Sequence, residues 1–265
     1  MRNVRMPRPY GLGIMAAALF TTPLQADAQS DWCGDEDREN RHCEVREFTL
    51  RGDGSLEVDA KPNGGVEVVG WDRNEVRVLA KVVSRGRSEA RAQELVSAIT
   101  IETGGTIRAD GPKAERNESW SVSYRISVPR NTDLELSSTN GGVGVEGVRG
   151  TMELQTTNGG ISLRDLGGDV SARTTNGGLS VELSGSRWDG GGLEAVTTNG
   201  AVVLSIPEGY SAQLESGTRN GGFDIEFPMT VSGRISRTLS TEIGSGGAPI
   251  SVRTTNGGVR IQRAP

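Results

Sequence analysis

The chain has 265 residues, with 34 acidic and 29 basic side chains for a formal charge of -5, one His, two Cys and 4% aromatic residues. A charge of that sign offers no basic footprint for phosphate backbones, so nucleic acid is set aside as a partner. The single His leaves no His-based catalytic triad on the body of the chain, and the 38 Gly beside only 10 Pro point to ordered turns, because the glycines recur between apolar alternations.

The chain opens with Arg2, Arg5 and Arg8 ahead of an apolar run over residues 11–20, followed by the small-x-small pattern Ala26-Asp27-Ala28. This reads as a secretory signal, residues 1–28, cut after Ala28. The run is too short to span a bilayer. Removing it takes away three Arg and one Asp, so the charge of -5 becomes -7. No later stretch approaches about eighteen consecutive apolar residues. The mature chain is therefore expected to lack a transmembrane segment and to be exported, to the periplasm, the cell surface or the medium. Asp31-Trp32 ahead of Cys33 differs from the lipoprotein box, which argues against a lipid anchor.

Residues 29–47 carry Cys33 and Cys43. In an exported protein this pair is expected to form a disulfide closing a small loop. A metal site with the adjacent His42 is the alternative, although two Cys and one His lack a fourth ligand. No cofactor is expected.

Residues 48–265 form the repeat domain. Phe48 and Leu50, Leu56 and Val58, Val66 and Val68, and then Val76, Val78, Ala80 and Val82 alternate with polar residues, as half-buried strands do. Residues 88–99 read as the one helix, with Ser88 as its cap, Glu89 in the first turn, and Ala90, Leu95, Ala98 and Ile99 on the buried face. Short strands resume at residues 100–102 and 106–109. Trp120, Val122, Tyr124, Ile126 and Val128 alternate up to Pro129, and Trp120 is expected in the core.

The body of the chain is organised by seven Asn-Gly pairs, at Asn63, Asn140, Asn158, Asn176, Asn199, Asn220 and Asn256, separated by 77, 18, 18, 23, 21 and 36 residues. The last interval is twice 18, so a unit of 18 residues recurs with insertions. Three residues after each Asn stand Val66, Val143, Ile161, Leu179, Val202, Phe223 and Val259; five after stand Val68, Val145, Leu163, Val181, Leu204, Ile225 and Ile261. Between them Glu67, Gly144, Ser162, Ser180, Val203, Asp224 and Arg260 vary without apparent constraint. That is the period of a strand with one buried face. Leu134 and Leu136, Met152 and Leu154, Val170 and Ala172, Leu193 and Ala195, and Ile250 and Val252 give the same pattern before the Asn. Each unit is strand, Asn-Gly corner, strand, second turn. Insertions fall in the second turn, at residues 184–192 and 206–212.

Two all-β architectures fit. Antiparallel hairpins in a meander or barrel use Asn-Gly turns; a parallel β-solenoid of about 18-residue coils stacks like on like. The small inward side chains favour the solenoid, with one short helix near residues 88–99. Turn geometry accounts for the corner residues: Asn and Gly tolerate positive φ, stacked Asn can bond between coils, and Thr156, Thr174, Thr197, Thr218 and Thr254 suit a hydroxyl ladder.

Candidate chemistry is sparse. Asp165 and Asp169 flank Gly167-Gly168, and Asp224 and Glu226 share an outward face; such pairs serve polysaccharide-cleaving β-helices, but a solvated edge is the favoured reading because charged residues are mostly exposed. Arg51-Gly52-Asp53 spells an adhesion tripeptide and reads as a turn, and Asn117-Glu118-Ser119 is a glycosylation sequon only in a host that modifies such sites. Trp32, Trp71, Trp120 and Trp188 are too scattered to form a sugar platform.

The run Tyr124-Arg125-Ile126-Ser127-Val128-Pro129, then Asp133-Leu134-Glu135-Leu136, then Thr139-Asn140-Gly141-Gly142-Val143-Gly144-Val145 and the repeated Thr-Thr-Asn-Gly-Gly resembles the bacterial adhesin-like β-strand-repeat family, a domain of unknown function. The resemblance covers residues 48–262. It implies an exported, right-handed β-helix-like domain with adhesion proposed for it and no catalytic residues to carry over. The Cys33–Cys43 loop and the long corner at residues 184–192 depart from the family pattern. The expectation is a non-enzymatic scaffold that binds a protein or glycan at the cell envelope or exterior; the alternatives are a polysaccharide-active enzyme and a structural or regulatory envelope component.

Overall fold

The computed structural model describes residues 32–34, 40–227 and 237–264; the predicted signal, residues 1–28, lies outside them. The first strands are β1 (Arg41–Arg51), β2 (Ser55–Asp59), β3 (Val66–Trp71) and β4 (Glu75–Arg85), followed by α1 (Glu89–Ala98), β5 (Thr100–Glu102), β6 (Ile107–Asp110) and β7 (Ser119–Pro129). Strands then come in pairs: β8 (Asp133–Asn140) and β9 (Val143–Glu146), β10 (Arg149–Asn158) and β11 (Ile161–Arg164), β12 (Gly167–Asn176) and β13 (Leu179–Glu182). β14 (Gly192–Asn199) and β15 (Val202–Ile206), and β16 (Ala212–Asn220) and β17 (Phe223–Ile225), complete that run. β18 (Thr238–Ile243) precedes the last pair, β19 (Pro249–Asn256) and β20 (Val259–Arg263).

Each pair is one coil of a β-solenoid. Its first strand lies in one ten-stranded sheet and its second in the other, with the Asn-Gly corner between. Coils stack parallel and in register, so Asn140, Asn158, Asn176 and Asn199 are successive neighbours. The Asn-Gly corner is therefore not a hairpin turn, and the antiparallel meander is ruled out, because the two strands it joins belong to different sheets. Between the sheets, Met152, Leu154, Ile161 and Leu163 are at most 2% exposed; burying such a side chain contributes about 1.5–3 kcal/mol.

The corner glycines are glycine for a reason other than the one turn chemistry suggests. None of the corner Asn or Gly residues has a positive φ. A Cβ on Gly159, Gly177 or Gly200 would instead stand 2.0 to 2.1 Å from the carbonyl oxygen of Gly141, Gly159 or Gly177 in the adjacent coil. Coils approach there because the preceding Thr pulls them together: Thr156, Thr174 and Thr197 each donate Oγ1–H to those same carbonyls at 2.8 Å. The Thr column is thus a hydroxyl-to-carbonyl ladder and not a hydroxyl-to-hydroxyl one.

The stack does not follow chain order at its ends. In the two sheets β2–β3 lies between β6–β7 and β8–β9, and β19–β20 is inserted between β14–β15 and β16–β17. The 36-residue interval before Asn256 is consequently not two stacked coils. It contains β18, which pairs antiparallel with β16, and Asn256 then lies directly beside Asn220. β1 and β4 add an antiparallel pair beyond β7, so charged strands occupy the long edge and discourage further pairing.

α1 packs against β1 and β4. Ser88 caps it by accepting from Arg91 N at 3.3 Å. The buried face is Ala92, Leu95, Val96 and Ile99, whereas Ala90 and Ala98 are exposed. Arg46 donates to the Val96 and Ile99 carbonyls at 2.9 and 2.5 Å, supplying donors at the helix C-terminus, where carbonyls run out of intrahelical N–H partners.

Candidate functional site

Strands with one buried face leave a second face to solvent, and in-register stacking turns each outward position into a row along the solenoid. On the sheet containing β9, β11, β13 and β15, one row runs Arg125, Glu67, Gly144, Ser162, Ser180, Val203, Arg260, Asp224. Its ends are charged and paired, Arg125 with Glu67 at 2.9 Å and Arg260 with Asp224 at 3.4 Å. Its centre is four small or aliphatic uncharged residues. At a strand spacing of about 4.8 Å, the stretch from Gly144 to Val203 is roughly 14 Å long.

This row floors a groove of 770 Å³. One flank is the second corner residue of each coil, Gly142, Gly160, Gly178 and Ala201. On the next outward row Arg164 bridges Glu146 and Glu182 at 3.5 and 3.1 Å, so charge there is neutralised between coils. The groove ends at Trp32. Trp32 is held by its neighbour: Cys33 is disulfide-bonded to Cys43 of β1, with Cα atoms 5.8 Å apart. The ring lies under the Arg125 guanidinium at 4.1 Å, with Lys81 Nζ at 5.7 Å, positions at which a cation is attracted to the ring face.

The opposite sheet presents different chemistry. Its outward row reads Glu57, Glu135, Glu153, Ser171, Glu194, Ser251, Glu215. Glu194 pairs with Arg173 and Glu215 with Arg253, while Glu57, Glu135 and Glu153 stack as like charges. One face of the solenoid is therefore acidic, and the groove face is close to neutral.

The residues singled out from the sequence are not gathered into a reacting centre. The seven corner Asn form one exposed ladder, each Nδ2 after that of Asn63 donating to the Oδ1 of the Asn before it in the stack at 2.8 to 2.9 Å. Asp165 adopts φ 49 at a second corner, where it accepts from Arg149 and Ser184 at 2.8 and 2.5 Å. Burial pushes its carboxyl up, but the Ser184 hydroxyl and the Arg149 guanidinium outweigh that and hold it below the usual range. Asp169 begins the adjoining strand pairing with Gly192. Asp224 and Glu226 both face Arg260, at 3.4 and 4.0 Å. Asp53 of the Arg-Gly-Asp tripeptide is exposed after β1. Trp188 plugs the enlarged corner, 7% exposed, with its indole N–H on the Gly168 carbonyl at 2.8 Å. Trp120 is half-buried rather than in the core, donating to the Pro112 carbonyl at 2.9 Å. Among the described residues no His, Cys, Asp and Glu cluster has the makings of a metal site, and no helix is long and apolar enough to cross a membrane.

Sequence reasoning missed the groove. Its floor is the set of residues four after each Asn, which read as unconstrained when the copies are aligned. The signal was present in their order: Glu67 at one end, Asp224 and Arg260 at the other, and Gly144, Ser162, Ser180 and Val203 between. Only the stacking order turns that list into a surface.

The profile of the Toastrack DUF4097 family matches residues 95–262. No curated protein matches the sequence. Solved structures resemble the chain at low identity, three of them as follows. A candidate cell-adhesion protein of Clostridium sporogenes is 11% identical with a TM-score of 0.41, covering 84% of this chain and 100% of that one. A candidate adhesin of Bacteroides fragilis is 12% identical with a TM-score of 0.44, covering 84% and 97%. A candidate lipid-binding protein of Parabacteroides distasonis is 11% identical with a TM-score of 0.38, covering 86% and 98%.

Proposed function

The chain belongs to the Toastrack DUF4097 family, and on that premise we propose that it is an exported, non-enzymatic scaffold that binds a protein or glycan of the cell envelope or exterior along the groove beside Trp32. The observation that carries this reading is the uncharged floor from Gly144 to Val203, bounded by ion pairs at both ends. A contiguous neutral and partly apolar strip on an otherwise charged surface marks a contact site. The floor is a stacked sheet whose backbone is already ordered, so a partner pays little to organise it. Export rests on the signal at residues 1–28 and on the disulfide, which persists in oxidising compartments. After cleavage the segment 29–47 serves to hold Trp32 at the groove mouth, and residues 48–265 supply the solenoid.

The test is binding of the signal-free chain, immobilised, to envelope fractions and to a panel of neutral and acidic glycans. Saturable binding that weakens when the Cys33–Cys43 bond is reduced is the expected result. Absence of a saturable partner across fractions and glycans overturns the proposal.

A further inference from the structure

An asparagine followed by glycine is chemically vulnerable, because the glycine nitrogen carries no neighbouring side chain to hinder its attack on the Asn amide carbon. The attack needs a glycine N–H free of other bonds and an amide free to turn toward it. The stack denies these at most corners. Gly64, Gly159, Gly177, Gly200 and Gly257 each donate N–H to an Asn carbonyl of the neighbouring coil at 3.0 to 3.2 Å. Asn140, Asn158, Asn176, Asn199 and Asn256 are held on both sides of the amide, donating from Nδ2 and accepting at Oδ1. Gly141 makes no such N–H bond among the described residues, but it is half-buried between coils and follows an Asn held on both sides.

The two ends of the ladder differ. At Asn63 the following glycine is buried and its N–H is bonded to the Asn140 carbonyl at 3.2 Å. Asn220 lies at the other end, in the coil whose second strand, β17, is the edge of its sheet. Its ladder contact is the single bond to Asn256 Oδ1 at 2.8 Å. Gly221 is exposed, the one such case among the seven first corner glycines, and its N–H has no partner among the described residues.

We propose that Asn220 is a site of spontaneous deamidation, confined to this corner by the stack. The Gly221 nitrogen bonds to Asn220 Cγ, the Cγ–Nδ2 bond breaks, and ammonia leaves with the glycine proton. Water then opens the cyclic imide at either carbonyl, leaving aspartate or isoaspartate. The product removes the donor on Asn256 Oδ1 and adds a negative charge to the end of the solenoid that already holds Asp224 and Glu226, so the last coil loosens as the protein ages.

Each of the seven Asn-Gly pairs falls in a different tryptic peptide, which makes the test direct. The full chain is aged in warm, mildly alkaline buffer beside a urea-denatured sample, and both are mapped by mass spectrometry. Conversion in the native chain is expected to be roughly ten-fold or more faster at Asn220 than at any other corner, the protection that local order confers elsewhere, while the denatured chain converts at all seven. Asn220→Gln is expected to remove the fast phase. Native conversion spread evenly over several corners, or an unconverted Asn220 beside a reacting denatured sample, overturns the proposal.

Discussion

Asn140 donates its amide to Asn63 at 2.9 Å although 77 residues separate them in the chain. The whole excursion through β4, α1, β5, β6 and β7 packs on the far side of β2 and β3, so the chain returns to the Asn63 coil without breaking the ladder. Asn256 does the same at the other end, meeting Asn199 across 57 residues at 2.8 Å. Closing loops of such length has an entropic cost that grows only slowly with length, and a full turn of in-register backbone bonds offsets it. Both chain ends of the array are thereby clamped between coils.

The two corner glycines should differ sharply in tolerance. A Cβ on Gly159 would lie 2.1 Å from the Gly141 carbonyl oxygen, whereas one on Gly160 would lie 3.2 Å from that of Gly178. Alanine already stands at the second position in one coil, as Ala201. Gly159→Ala is expected to cost about 3 kcal/mol through forced separation of coils, and Gly160→Ala less than about 1 kcal/mol. Urea unfolding of the two variants measures the difference; equal costs would show that the coils part easily.

The Thr ladder makes a second prediction. Thr174 is 5% exposed and donates to the Gly159 carbonyl at 2.8 Å. Thr174→Val keeps the shape and leaves that carbonyl without its donor, an expected loss of about 1–2 kcal/mol. Thr174→Ser retains the bond, as Ser138 does toward Gly64 at 2.7 Å, and should recover most of the loss. A Val variant as stable as the Ser variant would contradict the role of the hydroxyl.

Tyr124 behaves in the opposite sense. It is 1% exposed and its hydroxyl has no hydrogen-bond partner among the described residues. Tyr124→Phe is therefore expected to leave stability unchanged or raise it by up to about 1 kcal/mol. Burial, and secondarily the charge of Asp59, pushes the phenol well above its ordinary value of 10.0. A raised folded value means stability that is present below pH 10.0 and lost as pH climbs from there toward the folded value. Melting temperature against pH should fall less steeply on the alkaline side in the Phe variant. An identical alkaline fall in both proteins would place the ionising group elsewhere.

Much of this architecture is legible in the aligned copies. The apolar positions three and five after each Asn do point inward, Val143 with Val145 and Ile161 with Leu163, because period-two burial leaves a local trace. The corner glycines were legible as invariant but not in cause: their requirement comes from a carbonyl in the next coil, which no single copy contains. The order of coils was hidden for the same reason. Nothing local in residues 249–263 says that β19 and β20 slide between two coils formed earlier in the chain. The groove depends on that order, since a row of outward residues has meaning only after the stack is known.

The most direct test of the central claim, that the neutral row beside Trp32 is the contact surface, is binding by groove-filling variants. Ser162→Arg with Ser180→Arg changes two exposed outward positions, and Thr151→Arg places one such positive charge on an exposed position of the other sheet. With melting temperatures equal to that of the parent chain, the groove variant is expected to lose affinity for the captured envelope partner by roughly ten-fold or more, as blocking a contact centre does, and Thr151→Arg to retain it. Undiminished binding by the groove variant, or loss with Thr151→Arg alone, would contradict the assignment.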